Sequence, residues 1–151
     1  MIIISGKKLC ENCFAEAAAG KCSVCGFSAL DYVPEPSVLP CGTMLHSRYV
    51  IGRVIGRGGF GITYLAYDTK NDIRIAVKEF YPNNLALRGS GDPVVAVTNQ
   101  KSADIFKRGA EKFYEEAQIV SKFNGNPNIV SVYDFFYEND TVYYTMEYIE
   151  G

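Results

Sequence analysis

No long apolar run occurs in these 151 residues. The opening stretch, Met1 to Ile4, stops at Ser5-Gly6-Lys7-Lys8, far short of a signal-peptide core or of the roughly 20 residues that span a bilayer. The cytoplasm is therefore the expected compartment, with no membrane partner in this segment. Charge of one sign is also lacking: 15 Lys+Arg stand against 17 Asp+Glu, a formal charge of −2, so nothing draws the chain globally to phosphate backbones or anionic membranes. Nucleic acid is not an expected partner. Histidine occurs once, at His46, in His46-Ser47-Arg48, a polar stretch that reads as solvent-exposed. There is no internal repeat and no collagenous or coiled-coil bias. What is there, 48% hydrophobic and 21% charged residues, fits a globular chain of about one ordinary domain with a small appendage.

Cysteine is absent after position 41. Four of the five cysteines, Cys10, Cys13, Cys22 and Cys25, form two CxxC pairs eight residues apart. Each CxxC turn aims two thiolates at one centre, and two turns complete a tetrahedron, so the spacing predicts a structural zinc site with no open ligand position. Two disulfides or a rubredoxin-like iron site are the alternatives; a reducing cytoplasm disfavours the disulfides. Gly26 after Cys25 permits a left-handed backbone that helps turn amides toward the sulfurs, and so short a segment needs a cross-link to fold. Four thiolates with a divalent cation carry a formal charge of about −2, which suits a protein contact or spacer better than a nucleic-acid reader. Cys41 reads as a free thiol.

Pro34, Pro36 and Pro40 lack backbone donors and fix φ, so the segment containing them is expected to run extended as a semi-rigid linker. The expected organisation is a knuckle over 1–31, a linker over 32–47 and a larger unit over 48–151. In that unit, strand patterns run from Tyr49 to Ile55, Ile62 to Tyr67 and Ile73 to Phe80. Two more, Ile129 to Tyr137 and Thr141 to Tyr148, are joined at Glu138-Asn139-Asp140. Phe106, Ala110, Phe113, Ala117 and Val120 recur at spacings of three and four and predict an amphipathic helix over about Ser102 to Phe123. Tyr81 to Gln100 reads as an irregular insertion, with a possible short strand at Val94 to Val97. The expected fold is α+β: a five-stranded antiparallel sheet with one main helix, preceded by the zinc-ribbon-like module.

Gly56-Arg57-Gly58-Gly59-Phe60-Gly61 matches GxGxxG. In a dinucleotide-binding fold this turn runs into a helix, whereas Ile62-Thr63-Tyr64-Leu65-Ala66-Tyr67 is β-branched and aromatic and continues as a strand. A glycine-rich hairpin can instead fold over a nucleotide, its amides approaching the phosphates and Phe60 shielding them from water. A cation is needed beneath, and Ile75-Ala76-Val77-Lys78 provides it, with Ala76 leaving room for a purine. Ile55 to Gly61, then Ile75-Ala76-Val77-Lys78, a helix bearing glutamate, Asn126-Pro127-Asn128-Ile129-Val130 and Met146-Glu147-Tyr148-Ile149-Glu150-Gly151 together resemble the amino-terminal lobe of a protein kinase. The resemblance covers about Tyr49 to Gly151. Lys78-Glu79-Phe80-Tyr81-Pro82 through Leu87-Arg88 is similar to bacterial serine/threonine kinases with a long insertion after the lysine, some of which carry a cysteine knuckle in front.

The resemblance implies a helix glutamate paired with Lys78, from Glu111, Glu115 or Glu116. At 100° per residue, with Phe113 at 0°, Ala117 lies at about 40°, Val120 at about −20° and Glu116 at about −60°, while Glu115 and Glu111 fall at about 200° and 160°. Glu116 alone borders the buried face. The resemblance also implies an adenine pocket at Ile55, Thr63, Ala76 and Met146, with backbone groups of Glu147 and Ile149 on the purine edge and residues 56–61 over the phosphates. Thr63 replaces a commoner valine but keeps a methyl for the ring. The stretch Phe123 to Pro127 is one residue longer than usual.

The HRDxxxxN and DFG motifs, which in this family orient the substrate hydroxyl and hold magnesium, are absent. Asp134-Phe135-Phe136 is no substitute, since it precedes the hinge, falls in a strand and has Phe136 in place of glycine. The chain thus reads as a fragment, inactive alone, of a kinase that uses ATP, Mg and Zn, phosphorylates Ser/Thr of proteins and places a second lobe beneath this one. A non-catalytic pseudokinase or a zinc-dependent protein-interaction module is the alternative.

Overall fold

The computed structural model describes residues 1–17, 20–89 and 91–149; Ser90 and the hinge residues Glu150 and Gly151 lie outside them. The chain opens on a hairpin of β1 (Ile2–Ile4) and β2 (Lys7–Leu9), turned at Ser5 and Gly6, both at positive φ, as a tight two-residue hairpin requires. There follow β3 (Met44–Leu45), β4 (Tyr49–Arg57), β5 (Gly61–Asp68), β6 (Ile73–Phe80), β7 (Ala86–Leu87), β8 (Ala96–Val97), α1 (Gln100–Ser121), β9 (Val132–Glu138) and β10 (Thr141–Glu147). The main sheet is antiparallel, in the order β3-β4-β5-β6-β10-β9. The five expected strands form its body, and β3 adds a two-residue edge.

The sheet is curled until its two edges meet. The Tyr49 hydroxyl donates to the Asp134 carboxylate at 2.8 Å, and the His46 ring stacks on Phe136 with centroids 4.3 Å apart. His46, expected in open solvent, is half exposed and serves this closure. The inner face of the curl holds Leu45, Tyr49, Ile51, Tyr64, Ile75, Val77 and Tyr143, all essentially inaccessible. Val38 and Leu39, from the proline-rich segment, belong to the same core, and the Leu39 amide donates to the Tyr64 hydroxyl at 3.1 Å.

Helix α1 packs on the outer face. Asn99 caps it, its side chain accepting from the Ser102 amide at 2.9 Å, which satisfies one of the first-turn donors. Phe106, Ala110 and Ala117 are buried, and Phe113 rests between Phe80 and Tyr144. Gly109 is needed here, because a Cβ at that position would lie 2.7 Å from Phe80 Cζ. After the helix, Gly125 turns the chain at φ +93°, and the Asn124 side chain clamps both backbone groups of Val132. No helix among the described residues is long and apolar enough to cross a membrane.

The amino-terminal hairpin and cysteine loops cover another part of the outer face. Ile4, Leu9 and Phe14 form one cluster with Val50, Leu65 and Tyr67, and Ile55 and Tyr148 border it. This explains why β5 is buried along nearly its whole length: the curl covers one side, and the docked knuckle much of the other.

Candidate active site

Antiparallel register sets the outer face of the sheet. Lys78 lies opposite Thr63 on one side and Tyr144 on the other, and Ala76 lies opposite Leu65 and Met146. Because side chains alternate with a period of two, these residues share one face, and Val77 and Glu79 take the other. A cleft of about 220 Å³ opens where the sheet meets the hinge, lined by Ile55, Ala76, Val130, Met146, Glu147 and Ile149, with Tyr148. Of the expected adenine-pocket residues, Thr63 alone is missing from this wall; it sits one cross-strand pair away, beside Lys78. Val130 and Tyr148 were not expected there. Their place depends on how the segment after α1 folds back to the hinge, which no local pattern records.

The glycine-rich turn joins β4 to β5 and closes with the Gly58 amide donating to the Gly61 carbonyl at 2.9 Å. A Cβ on Gly61 would stand 2.8 Å from the Glu79 carbonyl oxygen and 3.4 Å from Lys78 Cε, so glycine here lets the flap approach β6. Gly58 and Gly59 have open space around them, and Phe60 at the tip is 75% exposed. Gly56 sits behind them, with Thr63 in van der Waals reach. Arg57 leans outward and pairs with Glu35.

Beneath the flap lies a cavity of about 540 Å³ whose walls include Phe60, Lys78, Pro82, Lys112, Phe113 and Glu116. A smaller one of about 140 Å³, behind it, is again lined by Lys78 and Glu116, with Val120, Val132 and Tyr144. Lys78 and Glu116 thus face the same spaces from the sheet and the helix. They make no ion pair within 4.0 Å. Lys112, one turn before Glu116 on α1, brings a second cation that periodicity did not single out.

On the inner face Glu79 and Arg88 form a charge pair with fully buried side chains. Arg88 Nη1 and Nη2 donate to the two Glu79 oxygens at 3.0 and 2.5 Å. The Tyr64 and Tyr143 hydroxyls donate to the same carboxylate at 2.9 and 2.6 Å. Burial and the adjacent Glu79 carboxylate push both tyrosine pKa values up, keeping the hydroxyls protonated as donors.

The four cysteines converge. Their sulfurs all lie within 4.8 Å of one another, with Cys10–Cys25 at 3.7 Å and Cys13–Cys22 at 3.9 Å. A tetrahedron with Zn–S bonds of about 2.3 Å has edges of about 3.8 Å, so the sulfur cage fits a zinc ion, and none of these cysteines is in a disulfide. The Cys25 and Val24 amides draw the Cys22 thiol down to about 6, whereas burial pushes Cys13 up to about 12. Asn12, within the first CxxC turn, donates from its side chain to Cys25 Sγ at 3.4 Å, and its carbonyl accepts from the Arg53 amide at 3.1 Å. The same turn therefore contributes two sulfurs to the cage and docks on β4. Burial also raises the pKa of Cys41, beside Asn12.

A Cβ on Gly52 would come within 2.7 Å of Phe14 and 2.8 Å of the Asn12 carbonyl oxygen. Gly52→Ala is accordingly expected to lift the knuckle from β4 while the cysteine cage stays intact. Hydrogen exchange at the Arg53 amide should accelerate while that within the cysteine loops stays the same, and unchanged protection at Arg53 would contradict the docking.

Comparison with known proteins agrees with this arrangement. Residues 49–151 match the family model described as the protein kinase domain. The serine/threonine-protein kinase PknD of Chlamydia pneumoniae is 38% identical over 104 residues, covering 69% of this chain and 9% of PknD. The serine/threonine-protein kinase PrkC of Bacillus subtilis (strain 168) is 34% identical over 110 residues, covering 73% of this chain and 14% of PrkC. The solved structure described as PpkA-294 apo form superposes with a TM-score of 0.70 at 32% identity, over 76% of this chain and 40% of that one. The chain therefore spans a small part of these relatives. A curled sheet with one helix, a glycine-rich turn over a strand lysine and a family match across residues 49–151 together show that the chain belongs to the protein kinase family.

Proposed function

We propose that this chain is the ATP-binding lobe of a serine/threonine protein kinase, the complete protein passing the ATP γ-phosphate to Ser or Thr hydroxyls of proteins in the cytoplasm. The observation that carries the reading is the meeting of Lys78, Glu116 and the flap residue Phe60 around one cavity, next to a cleft walled by Ala76 and Met146. Adenine is assigned to the cleft, its edge bonded by backbone groups of Glu147 and Ile149, and the phosphates to the space under residues 56–61. Lys78 binds phosphate oxygens there, and Glu116, across the same cavity, holds its ammonium group in place. Phosphoryl transfer also needs an aspartate for the hydroxyl and ligands for Mg. Those motifs are absent from these 151 residues, so the segment by itself is proposed to bind nucleotide without transferring phosphate.

The cysteine cage is proposed to hold one zinc ion through Cys10, Cys13, Cys22 and Cys25. Bound there, zinc supplies a structural cross-link. Titration of ATP into the chain tests the nucleotide reading: Ala76→Leu, which fills the cleft, should weaken binding at least about tenfold, or 1.4 kcal/mol, with metal content unchanged. A wild-type chain that binds no ATP would favour a pseudokinase or interaction module instead.

A further inference from the structure

The insertion after β6 is tied to the flap at one end and to the core at the other. The Tyr81 amide donates to the Phe60 carbonyl at 3.0 Å and the Asn83 amide to the Gly59 carbonyl at 3.3 Å. These bonds prolong the β5–β6 ladder, whose last pair is Gly61–Phe80, into the tip of the glycine-rich turn. Pro82, Asn84 and Leu85 then form one wall of the cavity that holds Lys78 and Glu116. The amides of Leu85 and Ala86 both return to the Pro82 carbonyl, and the chain turns inward so that Arg88 reaches Glu79. Arg88 also donates to the Ser37 carbonyl at 3.1 Å and lies over the Tyr81 ring at 5.1 Å. The segment that touches the flap is thus a short loop closed by a buried ion pair.

We propose that Arg88, seated on Glu79, is a positioning residue that holds the insertion against the glycine-rich flap and so sets the height of the flap above Lys78. The proposal rests on the nucleotide reading given above. Its physical basis is pre-organisation. Ordering a backbone segment costs conformational entropy, and glycine has the most freedom to lose; a flap whose carbonyls at 59 and 60 are already held loses less on closing over phosphate. A bidentate guanidinium–carboxylate pair suits the task because its fork admits one orientation. The hydroxyls of Tyr64 and Tyr143 complete the carboxylate's shell, which a buried charge requires.

Two variants of the chain test this. Arg88→Lys keeps a cation near Glu79 but loses the fork, and Asn83→Pro removes one tie at an exposed position outside the buried network. Each should speed hydrogen exchange at residues 58–61 in the nucleotide-free chain and weaken ATP binding by about tenfold, 1.4 kcal/mol. If Arg88→Lys merely lowers the melting temperature while flap exchange and ATP affinity stay at wild-type values, the pair is a core strut and the proposal is overturned. An effect confined to Asn83→Pro overturns it equally, since the tie then works without Arg88. Faster flap exchange in both variants of a chain that binds no ATP would uphold the tie and defeat the nucleotide reading instead.

Discussion

Lys78→Met is expected to reduce phosphoryl transfer by the complete protein about 10²- to 10³-fold, the loss typical when one pre-organised donor to a reacting oxyanion is removed. Methionine matches the length of the aliphatic stem, so the cross-strand neighbours Thr63 and Tyr144 keep their packing while the charge disappears. The fold should survive, because Lys78 makes no ion pair among the described residues whose loss would strand a partner. Incorporation of labelled phosphate into a protein acceptor measures the effect, and a melting curve checks the fold. Near-normal activity in the variant would end the assignment of Lys78. Glu116→Gln should give a smaller defect of the same sign, since the proposed role of Glu116 is to orient the lysine.

Removing the proposed zinc ion should have the largest structural effect. Structural zinc contributes on the order of 10–16 kcal/mol in small cysteine–histidine modules, more than three buried cysteines with Ala15, Ala17 and Phe27 around them can supply. Cys22→Ser, or exhaustive chelation, is expected to drop zinc from about one per chain to near zero and to unfold the cysteine loops. The consequence extends beyond the knuckle, because Cys10 and Cys13 flank the residues that dock on β4. Loss of the loop would expose Phe14, forfeiting about 1.5–3 kcal/mol of burial, and would uncover Leu65 and Tyr67. Ile55 and Tyr148 belong both to that cluster and to the wall of the hinge cleft, so ATP affinity should fall as well. Metal analysis together with hydrogen exchange over residues 2–16 and 50–55 measures all of this. Disulfides in protein purified under reducing conditions, or a full complement of zinc in Cys22→Ser, would refute it.

The legible parts of the chain are those governed by short-range chemistry. Two CxxC turns announce their own ligand geometry, the β-branched and aromatic runs between turn residues mark β4 to β6 as strands, and the spacing of three to four in α1 follows from which face must be buried. The order of the glycine-rich turn, the strand lysine and the hinge carried the family resemblance. The residues that pattern reading passed over depend on long-range packing. Gly109 looks like a weak point in a helix until Phe80 is placed against it, and Gly52 matters because Phe14, far away in sequence, lies across it. Met44 and Leu45 pair as a strand only because β4 offers them an edge.

Arg88 is the sharpest case. From the sequence it is one charged residue in an irregular insertion, the kind almost always solvated; in the fold it is fully buried against Glu79. By itself the sequence determined the metal-binding spacing, the strand and helix segments and the motifs whose order is kinase-like, because each segment or motif is recognised from residues a few positions apart. Tertiary structure alone decided that the knuckle lies against β4 beside the hinge, that Val130 and Tyr148 wall the hinge cleft, and that the insertion grips the flap. Those outcomes follow from the curl of the sheet, which brings distant segments together and leaves no local trace in the chain.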